Sequence, residues 1–150
     1  MIREPYLQMY FAKHPESLPY LERLLKEWNK HDRIIIACDF DDTIRHWSMT
    51  NDFNHNMRVI REAQLAGALL VINTASDVEA RRPLIEEYCK DNALRVDSIN
   101  ENPIDLPYGK WGKIYANIYL DDRAGLNEAI NILEYATILR KQSIEDESSI

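Results

Sequence analysis

The spacing of apolar residues divides the chain into elements. Between Ser17 and Asn29, Leu21, Leu24, Leu25 and Trp28 recur at i, i+3, i+4 and i+7, and Glu22 stands four residues ahead of Lys26. That is the period of an amphipathic helix with a supporting ion pair, predicted over 18–29. Arg33 then opens Ile34-Ile35-Ile36-Ala37-Cys38, a β-branched run without alternation, as expected of a central parallel strand covered on both faces. The run stops at Asp39. Residues 44–56 are polar and irregular, after which Met57, Ile60, Ala63 and Gly67 share one helical face, with Gly67 placed to end the helix. A strand over 68–73 follows directly. Val78, Ile85, Tyr88 and Cys89 predict a helix over 77–91, in which Pro83 is expected either to kink the helix or to move its start to about Arg81. A short strand is expected over 94–99, a loop over 100–113, and a strand over 114–120. Leu126, Ala129, Ile130, Leu133 and residues 135–139 predict a last helix. Residues 1–16 show no clear period.

Strands alternating with helices of this length point to βαβ units and an α/β fold, a parallel sheet sandwiched by helices. The expected organisation is an N-terminal extension over 1–32 with one amphipathic helix, a core over 33–140, and a flexible acidic tail over 141–150. No internal repeat is present.

Composition narrows the function classes. The 150 residues are 45% hydrophobic, enough for a sizeable core and incompatible with disorder of the whole chain. The longest apolar runs, 34–38 and 68–72, fall far short of the roughly 18 residues that span a bilayer. A start without an apolar leader and only two cysteines make the reducing cytoplasm the expected compartment. Eighteen basic against 25 acidic residues give a net charge of -7, which disfavours binding of long nucleic acid by counterion release. An anionic ligand must be met locally.

In a parallel α/β sheet, ligands bind outside the carboxyl ends of the strands. Three predicted strand ends carry unusual residues: Asp39-Phe40-Asp41-Asp42-Thr43, Asn73-Thr74-Ala75-Ser76 and Asp121-Asp122-Arg123. Five carboxylates at two such ends repel one another if the sheet brings the ends together, and a hard divalent cation such as Mg²⁺ offsets that repulsion. A carboxylate also attacks phosphorus to form an aspartyl-phosphate, provided that metal, Lys or hydroxyl donors neutralise the phosphate. Thr74 offers the hydroxyl and Lys113 the positive charge.

Asp39-x-Asp41-x-Thr43 after an apolar strand, Thr74 after the next, a Lys, and Asp121-Asp122 together resemble the four motifs of the haloacid-dehalogenase (HAD) superfamily of phosphatases. The resemblance covers about residues 33–135. Asn100-Glu101-Asn102-Pro103, Gly112-Lys113-Ile114-Tyr115-Ala116 and Tyr119 to Ala124 further resemble small, largely phage and bacterial members without a large cap, and the second half is similar to the phosphatase domain of polynucleotide kinases. The fold so implied is a Rossmann-like three-layer sandwich.

By position, the resemblance makes Asp39 the nucleophile and a Mg²⁺ ligand. Asp41 becomes the general acid and then base, its carbonyl touching the metal. Thr74 and Lys113 hold phosphoryl oxygens, with Lys113 also stabilising Asp39. Asp121 is a direct metal ligand, Asp122 a direct or water-mediated one, and Thr43 a supporting residue. The family usually has Gly where Asp42 stands, so the turn there must tolerate a side chain. After Thr74 the chain lacks the Arg two residues on that many relatives use, with Arg81, Arg82, Arg45 and Arg123 as candidate substitutes. Lys113 lies only eight residues before Asp121, which keeps Lys110 as a rival.

The implied activity is Mg²⁺-dependent hydrolysis of a phosphomonoester on an open site. The substrate is a phosphorylated small molecule, a nucleotide or a polynucleotide end; a homo-oligomer is compatible with such a site. The rivals are a receiver-like signalling domain that takes phosphate on Asp, and a catalytically idle interaction domain docking through its N-terminal helix. Cys38, inside a strand, is expected to be inert packing. His31, His46 and His55 lack metal-ligand spacing. Trp47 and Phe53 either line a substrate pocket or pack.

Overall fold

A computed structural model describes residues 3–50 and 52–148. The chain runs α1 (Glu4–Lys13), a 3₁₀ turn (Pro15–Ser17), α2 (Leu18–His31), β1 (Ile34–Cys38), α3 (Asn54–Leu65), β2 (Ala68–Ile72), α4 (Val78–Asp91), β3 (Ser98–Ile99), β4 (Ile118–Leu120) and α5 (Leu126–Ser148). All four strands are parallel, in the order β3-β2-β1-β4. The register pairs Ile34 with Ala68 and Cys38 with Ile72 on one side of β1, and Ile36 with Ile118 on the other. Every residue of β1 is buried, as its unbroken apolar run requires.

Handedness decides what covers each face. The steps β1 to β2 and β2 to β3 go the same way, so right-handed crossovers put α3 and α4 on one face. The return from β3 to β4 passes β2 and β1 in the opposite direction and must cross the other face. The helical face carries Ile34, Ile36, Cys38, Leu70 and Leu120 against Trp28 of α2, Ile60 of α3, Ile85 of α4 and Leu133 of α5. The opposite face carries Ile35, Ala37 and Val71 and is covered by Ile104, Leu106, Ile114 and Tyr115 from the return segment. The third layer of the sandwich is therefore an irregular stretch of chain, whereas helices were expected on both faces.

Several boundaries differ from the expected ones. The chain before Ser17 contains a helix: α1 buries Leu7 and Phe11, and Phe11 stacks on Tyr135 of α5 at 5.5 Å. Helices α1 and α2 accordingly contribute Phe11, Leu21, Leu24 and Trp28 to the same hydrophobic core as the sheet. Helix α4 starts at Val78 despite Pro83, because Asp77 caps it by accepting from the Ala80 amide at 3.3 Å. Strand β4 begins four residues later than its apolar run. The Asn117 side chain accepts from the Ile35 amide at 2.7 Å, and the Tyr119 hydroxyl donates to the Ile114 carbonyl at 2.6 Å and accepts from the Ala116 amide, folding 114–116 back. The expected acidic tail is helical through Ser148, anchored by an ion pair between Lys141 and Glu62. Among the described residues no helix is long and apolar enough to cross a membrane.

Candidate functional site

Strand β1 has β2 on one side and β4 on the other: the chain leaves β1 toward β2 and β3 and returns past them to β4, and this reversal of strand order beside β1 opens a crevice at the carboxyl ends. Asp39 is the first residue in it. Its amide donates to the Leu120 carbonyl at 2.9 Å, while the Asn73 amide donates to the Cys38 carbonyl at 2.8 Å, so both neighbouring strand ends are tied to it. One oxygen each of Asp39, Asp121 and Asp122 lies within 4.8 Å of the others. The expected meeting of the first and last strand ends is present.

Thr43, completely buried, ties these ends together. Its hydroxyl accepts from the Asp122 amide at 3.1 Å and lies 3.2 Å from Asp39 Oδ2 and 3.4 Å from Asp122 Oδ1, to either of which it donates. Burial, then the Asp122 carboxyl and the charge of Asp121, push the Asp39 carboxyl up to about 7; the Phe40 amide and the Thr43 hydroxyl only partly offset them. An all-oxygen donor set with surplus negative charge fits a hard divalent cation.

That crowding has a measurable consequence in cation-free solution. The folded chain keeps the Asp39 proton up to about pH 7, whereas an unfolded chain releases it near pH 4. The folded state binds more protons in that window, so this contribution to stability is lost as pH rises through it. With a chelator present, the Tm of the wild type minus that of Asp39→Asn should fall between about pH 5 and pH 8, and Mg²⁺ should raise the wild-type Tm more at the higher pH. A pH-independent difference would contradict the placement of Asp39 in a repelling cluster.

Asp42 has a different job from its neighbours. It sits at φ +60°, the left-handed region that favours glycine. Its Oδ1 accepts from the amides of Trp47, Ser48 and Met49 at 2.9 to 3.1 Å, and its Oδ2 accepts from the Ser48 hydroxyl at 2.6 Å. These donors hold its carboxyl well below the usual carboxylate range. Asp42→Gly would relieve the left-handed strain of one residue but remove the charged acceptor of four hydrogen bonds. The loss dominates, and the variant should show a lower Tm and faster proteolysis within 44–53. A gain in Tm would show that strain outweighs the bonds.

Asp41 faces α4. Arg81 Nη1 donates to Asp41 Oδ2 at 2.5 Å and Nη2 to Oδ1 at 3.0 Å, and Nη1 also donates to the Ser76 hydroxyl at 2.7 Å. Arg45 Nη1 stands 3.6 Å from Asp41 Oδ1. The Arg81 guanidinium lies 5.6 Å from the ring of buried Phe40 and 5.7 Å from that of Trp47, which is 66% exposed. Phe53 is buried. Of the other candidate arginines, Arg82 pairs with Glu86 at 3.7 Å, and the Arg123 amide donates to Asp121 Oδ1 at 2.9 Å.

Thr74 lies two residues past the end of β2 and is fixed by Asn100, the first residue after β3. Its amide donates to Asn100 Oδ1 and its carbonyl accepts from Asn100 Nδ2, both at 2.8 Å. The Thr74 hydroxyl accepts from the Ser76 amide at 3.1 Å, which leaves its hydrogen to donate. Lys113 is not gathered with the carboxylates. Its Nζ lies 5.0 Å from the centre of the Tyr119 ring, beside a cavity of about 380 Å³ that Tyr108, Trp111 and Tyr115 also line. Lys110 stands 3.9 Å from Asp105.

The Cys38 thiol donates to the Asp39 carbonyl at 3.1 Å, and burial pushes it well above its ordinary value, as suits inert packing. His31 is exposed, His46 contacts the Met49 carbonyl, and His55 faces Glu134 at 3.7 Å. None of the three belongs to the acidic cluster. Comparison with family models, with curated proteins and with solved structures returns no match.

Proposed function

We propose that the chain is a Mg²⁺-dependent phosphomonoester hydrolase of the HAD type. The observation that carries this reading is the convergence of Asp39, Asp121 and Asp122 at the end of the central strand, with Thr43 bridging them. Asp39, the Asp41 carbonyl, Asp121 and Asp122 would hold the cation, and the bound Mg²⁺ would neutralise the charge of the transferring phosphoryl group. An Asp39 oxygen attacks phosphorus as the bond to the leaving oxygen breaks, and Asp41 protonates that oxygen. Asp41 then takes a proton from a water, whose oxygen attacks the aspartyl-phosphate and restores Asp39. The Thr74 hydroxyl donates to a phosphoryl oxygen. Lys113 takes the same role once it leaves the Tyr119 ring.

Among the described residues, the segments 44–53 and 101–117 contain no helix or strand large enough to form a cap. An open site of this kind suits a nucleotide, a polynucleotide end or a phosphorylated small molecule, in the reducing cytoplasm. The receiver-like alternative calls for the doubly wound order 2-1-3-4, whereas the order here is 3-2-1-4. The idle docking alternative relied on a free apolar face of α2, yet Leu21, Leu24 and Trp28 are buried in the chain's own core. Release of phosphate from p-nitrophenyl phosphate should require Mg²⁺ and stop on chelation. Activity unaffected by a chelator would overturn the cation's role, and no activity on any phosphomonoester would overturn the reading.

A further inference from the structure

The geometry points to Arg81 as a phosphoryl-binding residue that Asp41 holds in reserve, so that an arriving phosphoryl dianion takes the guanidinium from Asp41 and in doing so uncovers the Asp41 carboxylate. This rests on the hydrolase reading for its meaning, but the exchange itself is a binding event.

Both Asp41 oxygens accept from Arg81 at 2.5 and 3.0 Å. In this state each Asp41 oxygen already accepts one charge-assisted bond from the guanidinium, so the carboxylate is held toward α4 and the arrangement is a resting one. A planar guanidinium fork fits a carboxylate and a phosphoryl group equally well in shape, and the dianion carries the greater charge. Three features favour the exchange over simple structural pairing. Arg45 remains 3.6 Å from Asp41 Oδ1, so Asp41 keeps a cation when Arg81 departs. Phe40 and Trp47 both lie within 6 Å of the guanidinium, which keeps it near the crevice whichever acceptor it holds. Finally, Arg81 lies near the start of α4, on the β2 side of β1 with Thr74 and Ser76, whereas Asp121 and Asp122 lie on the β4 side. A phosphoryl group at Asp39 would sit between a cationic, hydroxyl-bearing wall and a cation-binding one.

The test is the affinity for inorganic phosphate, measured by calorimetry with Mg²⁺ at fixed ionic strength. It compares the wild type, Asp41→Asn, Arg81→Gln and the double variant. Removing the competing carboxylate should tighten binding in Asp41→Asn by about fivefold or more, and Arg81→Gln should weaken it by about tenfold or more. The decisive comparison is Arg81→Gln in the Asp41→Asn background, where Arg81 no longer pairs with a carboxylate and keeps the Ser76 hydroxyl: a fall of about tenfold supports direct contact. A change within about twofold there, or no phosphate binding by any of the four, overturns the proposal. Should Arg81→Gln fail to fold, Arg81→Lys replaces it, with about threefold weaker binding expected from loss of the fork. If the enzyme hydrolyses phosphomonoesters while the comparison is flat, the Arg81 assignment alone fails. If no ester is hydrolysed but the comparison holds, the hydrolase reading fails and the phosphate site stands.

Discussion

Asp39→Asn will reduce the turnover of any phosphomonoester substrate by about a thousandfold or more while leaving the chain folded and, without divalent cation, more stable than the wild type. The two halves of this expectation have one origin. Asp39 is the residue at which burial and two neighbouring carboxylates converge, and its carboxyl is pushed up to about 7 for that reason. An amide keeps the shape and still accepts from Thr43, which lies 3.2 Å from Asp39 Oδ2. Above about pH 7, where Asp39 has lost its proton, it removes a negative charge from the crowded cluster, so the repulsion falls. On the proposed mechanism the substitution also replaces the attacking carboxylate by an amide, whose oxygen is a poor nucleophile. Steady-state phosphate release and thermal unfolding of the same preparation read both effects. Equal rates in variant and wild type would remove Asp39 from the reaction, and a large drop in Tm would mean that its charge is compensated in the folded chain.

The elements legible in the sequence are those whose burial pattern is complete within a single stretch. Strand β1 is buried on both faces and reads as an unbroken apolar run; α2 buries Leu21, Leu24 and Trp28 and reads as a stripe. The failures are places where side chains from elsewhere settle the backbone. Helix α1 buries only Leu7 and Phe11, and its partner surface on α5 lies more than a hundred residues away. The apolar residues 114–116 look like strand, but Asn117 and Tyr119 turn them into cover for the sheet. The acidic stretch after Arg140 reads as solvated tail because the ion pair from Lys141 to Glu62 joins distant positions.

The site divides along the same line. Asp39, Thr74, Asp121 and Asp122 were legible because each ends a strand, and parallel strands bring their ends to one crevice. The expectation that the turn at Asp42 must tolerate a side chain fits the positive φ there. What the side chain contributes, a four-bond clasp on residues 47–49, was not readable because those residues show no pattern of their own. The helix expected over 77–91 is present as Val78–Asp91, but the Arg81–Asp41 pair joins positions forty residues apart, and with Pro83 leaving the helix start open the sequence did not say that Arg81 faces the crevice. Asn100 stood in a stretch that the resemblance marked, but its clasp on the Thr74 backbone was not readable because it joins the ends of two strands.

Trp28→Ala should cost about 3 to 5 kcal/mol, a large part of the roughly 5 to 15 kcal/mol that stabilises a domain. Trp28 is fully buried, and its indole donates to the Ala66 carbonyl at 3.0 Å, fastening α2 to the turn between α3 and β2. The fit there is tight. A Cβ on Gly67, at φ +103°, would lie 2.8 Å from the Asp32 carbonyl oxygen, so the end of α2 is pressed against this turn. Arg140 of α5 holds the same end by donating to Asn29 and Asp32 at 3.0 and 2.9 Å. Only two residues separate α2 from β1, so loosening α2 loosens the strand that positions Asp39. Truncation to Ala leaves a cavity and a buried carbonyl without its donor; Trp28→Phe keeps most of the volume and should cost about half as much. Urea unfolding should show one cooperative transition in both variants, shifted to lower midpoint in proportion. A loss below about 1 kcal/mol, or a separate early transition in Trp28→Ala, would mean that residues 1–32 are an appendage on an independent core.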